Sequence, residues 1–287
     1  MKIGTRIPPV GGEMGFDAFC RWLAENGFGS VDTSALTAEI KQATDAAGLV
    51  IGTCDIGHVR ETLSADESVR AEGVKNLKEQ LSETASLGGK LLFCVLLPED
   101  ASLGRQKNFD IWKETWPDIL SHADSLGLKF ALEWWPGSGP AYPALACTPE
   151  MWRAMLKVTD SPALGMCYDP SHLARIQIDW MRALDEIGER VVHVHAKDTE
   201  ILPERLYEQG ILGASFGVDM GFSEGWWRYC IPGDGVVDWG KVVARMEHFN
   251  FDGVFSIELE DYRYWKDGEA QKAGLLAAKR HLDPIVR

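Results

Sequence analysis

Positive charge is scarce in this chain of 287 residues. Its 29 Lys and Arg residues face 43 Asp and Glu residues, giving a formal net charge of −14. A nucleic-acid partner requires clustered Lys and Arg to neutralise phosphates, so this balance argues against one. The six cysteines (Cys20, Cys54, Cys94, Cys147, Cys167 and Cys230) are scattered without a C-x-x-C pair. That spacing speaks against a zinc ribbon or a disulfide frame and suits reduced thiols in a cytoplasmic protein. No apolar run approaches the roughly 20 residues that span a bilayer, and the opening MKIGTRIPPV has no signal-type apolar stretch. A soluble protein with no membrane partner is expected. A G-x-G-x-x-G turn is also missing. The PGDG at residues 232–235 is a turn, not a phosphate loop, because no Lys-Ser/Thr follows it.

What is present is a core-forming composition, 45% hydrophobic and 10% aromatic, arranged as short apolar runs alternating with helical patterns. Eight runs read as strands: KIGTRIP near Lys2, SVDTS near Ser30, LVIGTCDI near Leu49 and LLFCVLLP near Leu91, then KFALEWWP near Lys129, LGMCYDP near Leu164, VVHVHAKD near Val191 and VFSIELED near Val254. Helical segments separate them. FDAFCRWLAEN stops at Gly27, and SADESVRAEGVKNLKEQLSETASLG opens on a Ser cap. CTPEMWRAMLKVTD has Thr148 as its cap and Pro149 at the first helical position, and GEAQKAGLLAAKRHL closes the series. Repeated β-then-α units imply a parallel sheet, and eight of them a closed (β/α)₈ TIM barrel, an α/β fold occupying residues 1–287 as one domain. An open doubly wound sheet is the alternative. One long interval, about 199–235, reads as irregular. Its aromatics (Phe216, Phe222, Trp226, Trp227 and Tyr229) suggest a packed lid.

In such a barrel the reactive groups sit at the carboxyl ends of the strands. The fifth strand ends in Glu133, and the sixth in Asp169 with His172 three residues on. The seventh carries His193, His195, Lys197 and Asp198, and the eighth carries Glu258, Glu260 and Asp261. His58 apart, the first four strands supply little that is comparable. Three carboxylates and an imidazole at one mouth would repel without a cation. Oxygen-rich ligation with one nitrogen suits a divalent metal, Mn²⁺ or Mg²⁺, with Co²⁺ or Zn²⁺ as alternatives.

The set ALEWWP, CYDPSHL, HVHAKD, WRYCIPGDGVVDW and SIELED resembles the sugar phosphate isomerase/epimerase family, the xylose-isomerase-like barrels. The resemblance covers most of the chain, with the motifs in order on strands five to eight. It implies Glu133, Asp169, His195 and Glu258 as metal ligands, Glu133 and Glu258 as the catalytic pair, and His172 and Arg228 beside the substrate. Lys197 either pairs with a carboxylate or touches substrate, and His58 either lines the pocket or merely ends the third strand. His193 shares the parity of His195 one layer deeper and is expected to be a hydrogen-bonded core residue. Glu260 is expected in a rim salt bridge, and Trp134 and Trp135 in packing.

The expected activity is a metal-dependent sugar isomerase or epimerase that removes a proton next to the carbonyl of a keto-sugar or related polyol through an enediolate. The same enediolate could expel a β-leaving group, making a lyase or dehydratase of a keto-sugar or keto-inositol. Two further readings weigh less. Apurinic endonucleases share the barrel but need three metals and basic surface, and a non-catalytic sugar-binding barrel would have lost a ligand. The partner is a small sugar, and a homodimer or higher homo-oligomer is compatible with the aromatic loop.

Overall fold

A computed structural model describes all of residues 1–287. Eight parallel strands close into a barrel: β1 (Lys2–Arg6), β2 (Ser30–Thr33), β3 (Val50–Asp55), β4 (Leu91–Cys94), β5 (Lys129–Glu133), β6 (Leu164–Tyr168), β7 (Val191–Ala196) and, after a two-strand insertion, β10 (Val254–Ile257). Each pairs with its sequence neighbours, and β10 returns to β1 with Lys2 opposite Val254 and Thr5 opposite Ile257. Closure leaves no free edge, so the open-sheet alternative is set aside. The strands are short and apolar because helices cover one face and the barrel interior the other.

The helical connections follow their local chemistry. Thr148 accepts from Met151 N and Pro149 opens the helix Pro149–Val158. The long helix Glu67–Ser86 is capped by Asp66, whose side chain accepts from Ser68 N and Val69 N. The expected Ser cap is thus displaced to an aspartate with a better acceptor. Tryptophans fill the layer between barrel and helices: Trp112, Trp116, Trp134, Trp152 and Trp239 are all buried. All six cysteines are free and buried. No helix is long and apolar enough to cross a membrane.

The interval 199–235 is irregular only in part. β8 (Asp198–Ile201) and β9 (Trp227–Cys230) form an antiparallel ribbon with Asp198 opposite Cys230, and the helix Pro203–Gln209 lies between them. Trp226, Trp227 and Tyr229 pack together against Ile201, Leu206 and Phe222, whereas Phe216 points fully into solvent. The ribbon is an arm standing on the carboxyl end of β7. Asp198 anchors its base by accepting from Thr199 N (2.8 Å), Gly233 N (3.2 Å), Val237 N (3.1 Å) and Trp239 Nε1 (3.1 Å). Gly235 is required there, since a Cβ would collide with the Asp198 carboxylate.

Candidate metal centre and substrate cavity

The side chains expected from the strand ends do converge. Glu133 closes β5, Asp169 follows β6, His195 lies in β7 and Glu258 follows β10. One ligand atom from each lies within 4.8 Å of the others. Glu133 Oε1 is fixed by Trp134 N at 2.7 Å, which leaves Oε2 facing His195 Nδ1 at 2.5 Å. Glu258 Oε2 reaches the same nitrogen at 3.3 Å. Asp169 caps the helix Pro170–Arg175 with Oδ1 on Ser171 N (2.9 Å), aiming Oδ2 into the cluster.

Glu133 Oε2, Asp169 Oδ2 and His195 Nδ1 are buried and lack any partner in hydrogen-bond geometry. Orphaned buried acceptors are costly, and here they point at one another. Their lone pairs converging on a common point is the arrangement a divalent cation would satisfy, so the residues fit one. Two overlapping trios fit less well. Asp32, His193 and His195 are tied together differently: Asp32 Oδ2 accepts from Ser256 Oγ (2.5 Å) and faces His193 Nε2 (3.0 Å), while Oδ1 accepts from Thr53 N (3.0 Å). Gly52 makes room for that carboxylate. In the other trio, Glu133, Cys167 and His195, burial pushes the Cys167 thiol far up, with the Glu133 charge adding to it, so it stays a neutral thiol.

Lys197 is fully buried and lies 2.5 Å from Glu258 Oε2, 3.0 Å from Glu260 Oε2 and 3.2 Å from Asp169 Oδ2. Burial opposes its charge, but those three carboxylates outweigh burial and raise its pKa well above the usual lysine value. Burial also pushes Asp169 up to about 7, against the pull of Lys197. Lys197, with Arg6 3.5 Å from Glu258, faces the four carboxylates Glu133, Asp169, Glu258 and Glu260, so the carboxylates outnumber these two cations. His172 shares a 2.6 Å hydrogen bond with the Tyr229 hydroxyl through Nδ1, and its Nε2 lies 3.3 Å from Asp169. Burial, then the cations Lys197 and Arg175, depress its pKa well below the usual histidine value, so it is a neutral imidazole.

Above the cluster opens a cavity of about 620 Å³, lined among others by Glu133, His172, Lys197, Glu258 and Glu260. Arg228 and His58 are not brought to it. Arg228 belongs to the arm and pairs with Glu200 and Asp261. His58 is exposed beside Glu61 at 3.8 Å. The double tryptophan splits: Trp134 packs on Trp152 at 4.1 Å, and Trp135 lines the cavity.

Sequence reasoning missed the contribution of the early strands. Arg6 forms a paired contact with Asp55 (3.0 and 2.9 Å) and lies 3.5 Å from Glu258 Oε1. Asp32 lies under His195 at 3.8 Å. Inside SVDTS the parity of Ser30 and Asp32 marked a polar inward face, the same signal that exposed VVHVHAKD. Arg175 was missed too. It is buried against Trp227 (4.7 Å) and Tyr229 (5.6 Å) and lines the cavity.

A closed parallel barrel with a carboxylate and histidine cluster at the carboxyl ends of its strands defines a TIM barrel of the xylose isomerase-like class. The chain belongs to the xylose isomerase-like TIM barrel family, whose model it matches over residues 11–283. Among curated proteins, it is 28% identical over 169 residues to an inosose dehydratase of Lactiplantibacillus plantarum, a match covering 56% of this chain and only 52% of that one. A second inosose dehydratase, from Geobacillus thermodenitrificans, is 23% identical over 272 residues, covering 88% and 85% of the two chains. Among solved structures, a D-psicose 3-epimerase with D-tagatose from Clostridium cellulolyticum H10 superposes with a TM-score of 0.74 over 100% of both chains at 14% identity. That last likeness concerns the fold.

Proposed function

We propose that this chain is a divalent-metal-dependent sugar isomerase or epimerase that removes a proton next to the carbonyl of an uncharged keto-sugar or related polyol. One observation carries the reading: Glu133 and Glu258, from strands separated by β6 and β7, enter the same cavity with their carboxylates on one imidazole, His195. Glu133, Asp169, His195 and Glu258 would hold the metal, which supplies Lewis-acid stabilisation of developing negative charge when bound. Mn²⁺ is the ion we favour for this donor set.

The residues of the chain do the rest. One carboxylate of the Glu133/Glu258 pair takes the proton from the carbon. The C–H electrons form the C=C bond of an enediolate, and the former carbonyl oxygen takes the negative charge. Lys197 lies where an ammonium would hold that oxygen, and neutral His172, oriented by Tyr229, would bind a neighbouring hydroxyl. For epimerisation the second carboxylate delivers to the opposite face a proton it has taken from solvent, while the first releases its own to solvent. For isomerisation the first carboxylate passes the proton it took to the adjacent carbon. A second reading is favoured by the two inosose dehydratase relatives. In it the enediolate electrons break the neighbouring C–O bond, and hydroxide leaves with a proton as water.

Incubating metal-loaded protein with a panel of keto-sugars and keto-inositols in D₂O tests both. Deuterium in recovered substrate or epimer supports the first reading, and loss of water to an unsaturated ketone supports the second. No exchange and no elimination across the panel would overturn the proposal.

A further inference from the structure

Beyond the cavity mouth the surface is unexpectedly apolar. On the arm Ile211 and Leu212 are 66% and 91% exposed, and Val218 is also exposed. These side chains are not scattered. With Tyr142 and Ala214 they line a groove of about 430 Å³, and this groove shares Gly139, Ser223 and Glu224 with the wall of the metal-site cavity. The boundary is one side chain thick. Glu224 accepts from Gly139 N and from the Tyr142 hydroxyl, both at 2.8 Å, and Arg175 Nη1 lies 3.5 Å away. Those bonds clamp the arm to the loop that follows β5, so the groove exists without a ligand and costs little ordering on binding.

Accepting the sugar chemistry proposed above, we infer that the groove is an outer subsite for an uncharged, apolar or aromatic substituent on the sugar. The substrate class is then a keto-glycoside with a hydrophobic aglycone, not a free keto-sugar. Three observations converge. Continuity with the cavity places the groove where a substituent on the sugar would emerge. The inner lining adds Trp135, Phe222 and Trp227, enough aromatic surface to stack more than one ring. Charge decides against an anionic tail: Glu133, Glu258 and Glu260 line the cavity and Glu224 stands at the boundary, against Lys197 and Arg175. At the boundary the Glu224 carboxylate and the Tyr142 hydroxyl oxygen offer acceptors to a ring hydroxyl.

Calorimetric titration of the full chain, loaded with Mn²⁺, with phenyl β-D-glucopyranoside and methyl β-D-glucopyranoside tests the subsite without turnover. Phenyl is expected to bind about 10-fold tighter than methyl. In Ile211→Ser/Leu212→Ser, whose folding a thermal melt verifies, the ratio is expected to fall to about 1. Equal affinities in the native chain, or a ratio that survives the double substitution, overturn the inference. So does concentration-dependent self-association in sedimentation that the same substitution abolishes, because the groove then holds a second copy. The deuterium assay fails separately: exchange without a phenyl preference removes only the outer subsite, and a phenyl preference without exchange removes only the chemistry.

Discussion

Glu133 and Glu258 have different jobs for their two oxygens, and that makes conservative substitution informative. Glu133 spends Oε1 on Trp134 N and keeps Oε2 for the cluster. Glu258 is held by Lys197 and by Arg6. Burial opposes ionisation of Glu258, but Lys197, His195 and Arg6 hold its carboxyl well below the usual range. Glu133→Gln and Glu258→Gln preserve shape but remove the proposed base and a charged ligand of the proposed metal ion. Each is expected to lower solvent-deuterium exchange by at least about 100-fold and to weaken Mn²⁺ binding in a metal titration. Full activity of either variant with metal bound would remove the assignment. Asp32 makes a stability prediction with a definite sign. Burial works against its charge, yet His193 at 3.0 Å, with His195 and Arg6 behind it, holds it down to about 2 from 3.8. A depressed carboxyl contributes stability above its unfolded value and loses it as pH falls toward the folded one, so the window here is pH 4 to 2. The contribution is about 2 kcal/mol at neutral pH, of which roughly half is gone at pH 3. Chemical denaturation should therefore show Asp32→Asn less stable than the native chain at pH 7, with the gap narrowing by roughly 1 kcal/mol at pH 3. An unchanged gap would show that the His193–Asp32 pair is not ionic. The late-strand residues were legible because four of them recur at equivalent strand ends. Asp32 and Arg6 were not, because a single charge in a short strand has the look of a rim residue until its partners across the barrel are known.

The arm shows where element-scale reading stops. β8 and β9 are four residues each, and their sequences, DTEI and WRYC, lack the alternation that identifies longer strands. Their pairing spans 25 intervening residues between Ile201 and Trp227, a separation no local pattern reveals. Pro203 at the first turn of its helix was a legible start signal that the surrounding polarity masked. By contrast, β1 to β7 and β10 were readable because covered parallel strands are apolar and are punctuated by capped helices. Asp198 ties down the base of the arm, and its removal leaves three buried donors and the part-buried Gly233 N without an acceptor. Asp198→Ala is expected to destabilise the protein by roughly 2–4 kcal/mol. It should also open cleavage sites between residues 199 and 235 to limited proteolysis. Protection equal to that of the native chain would mean that the Trp226, Trp227 and Tyr229 cluster and the Glu224 clamp hold the arm without it.

At the scale of the whole molecule, closure of the barrel brings chain segments more than 200 residues apart to one point, as Asp32 and Ser256 show. The number of β-then-α units anticipates this closure, but the sequence says nothing of the distances across the mouth. The net charge of −14 is also a property of the whole. It argues that duplex DNA at moderate salt will not bind measurably, and tight binding in a mobility-shift assay would restore the endonuclease reading. The same excess of acid is concentrated at the candidate metal centre, where Asp169, Glu258 and Glu260 share Lys197 as their buried lysine partner. A divalent ion that binds only the folded state should stabilise it by about 2.7 kcal/mol at a free concentration 100 times its Kd. Calorimetric scans of the chelator-treated protein are therefore expected to show a Tm that rises steadily with added Mn²⁺. That rise should be lost in Asp169→Asn, where a ligand oxygen is replaced without a change of size. A Tm indifferent to chelator and to metal would show that Lys197 and Arg6 balance the cluster, and the site would then have to act without a metal ion.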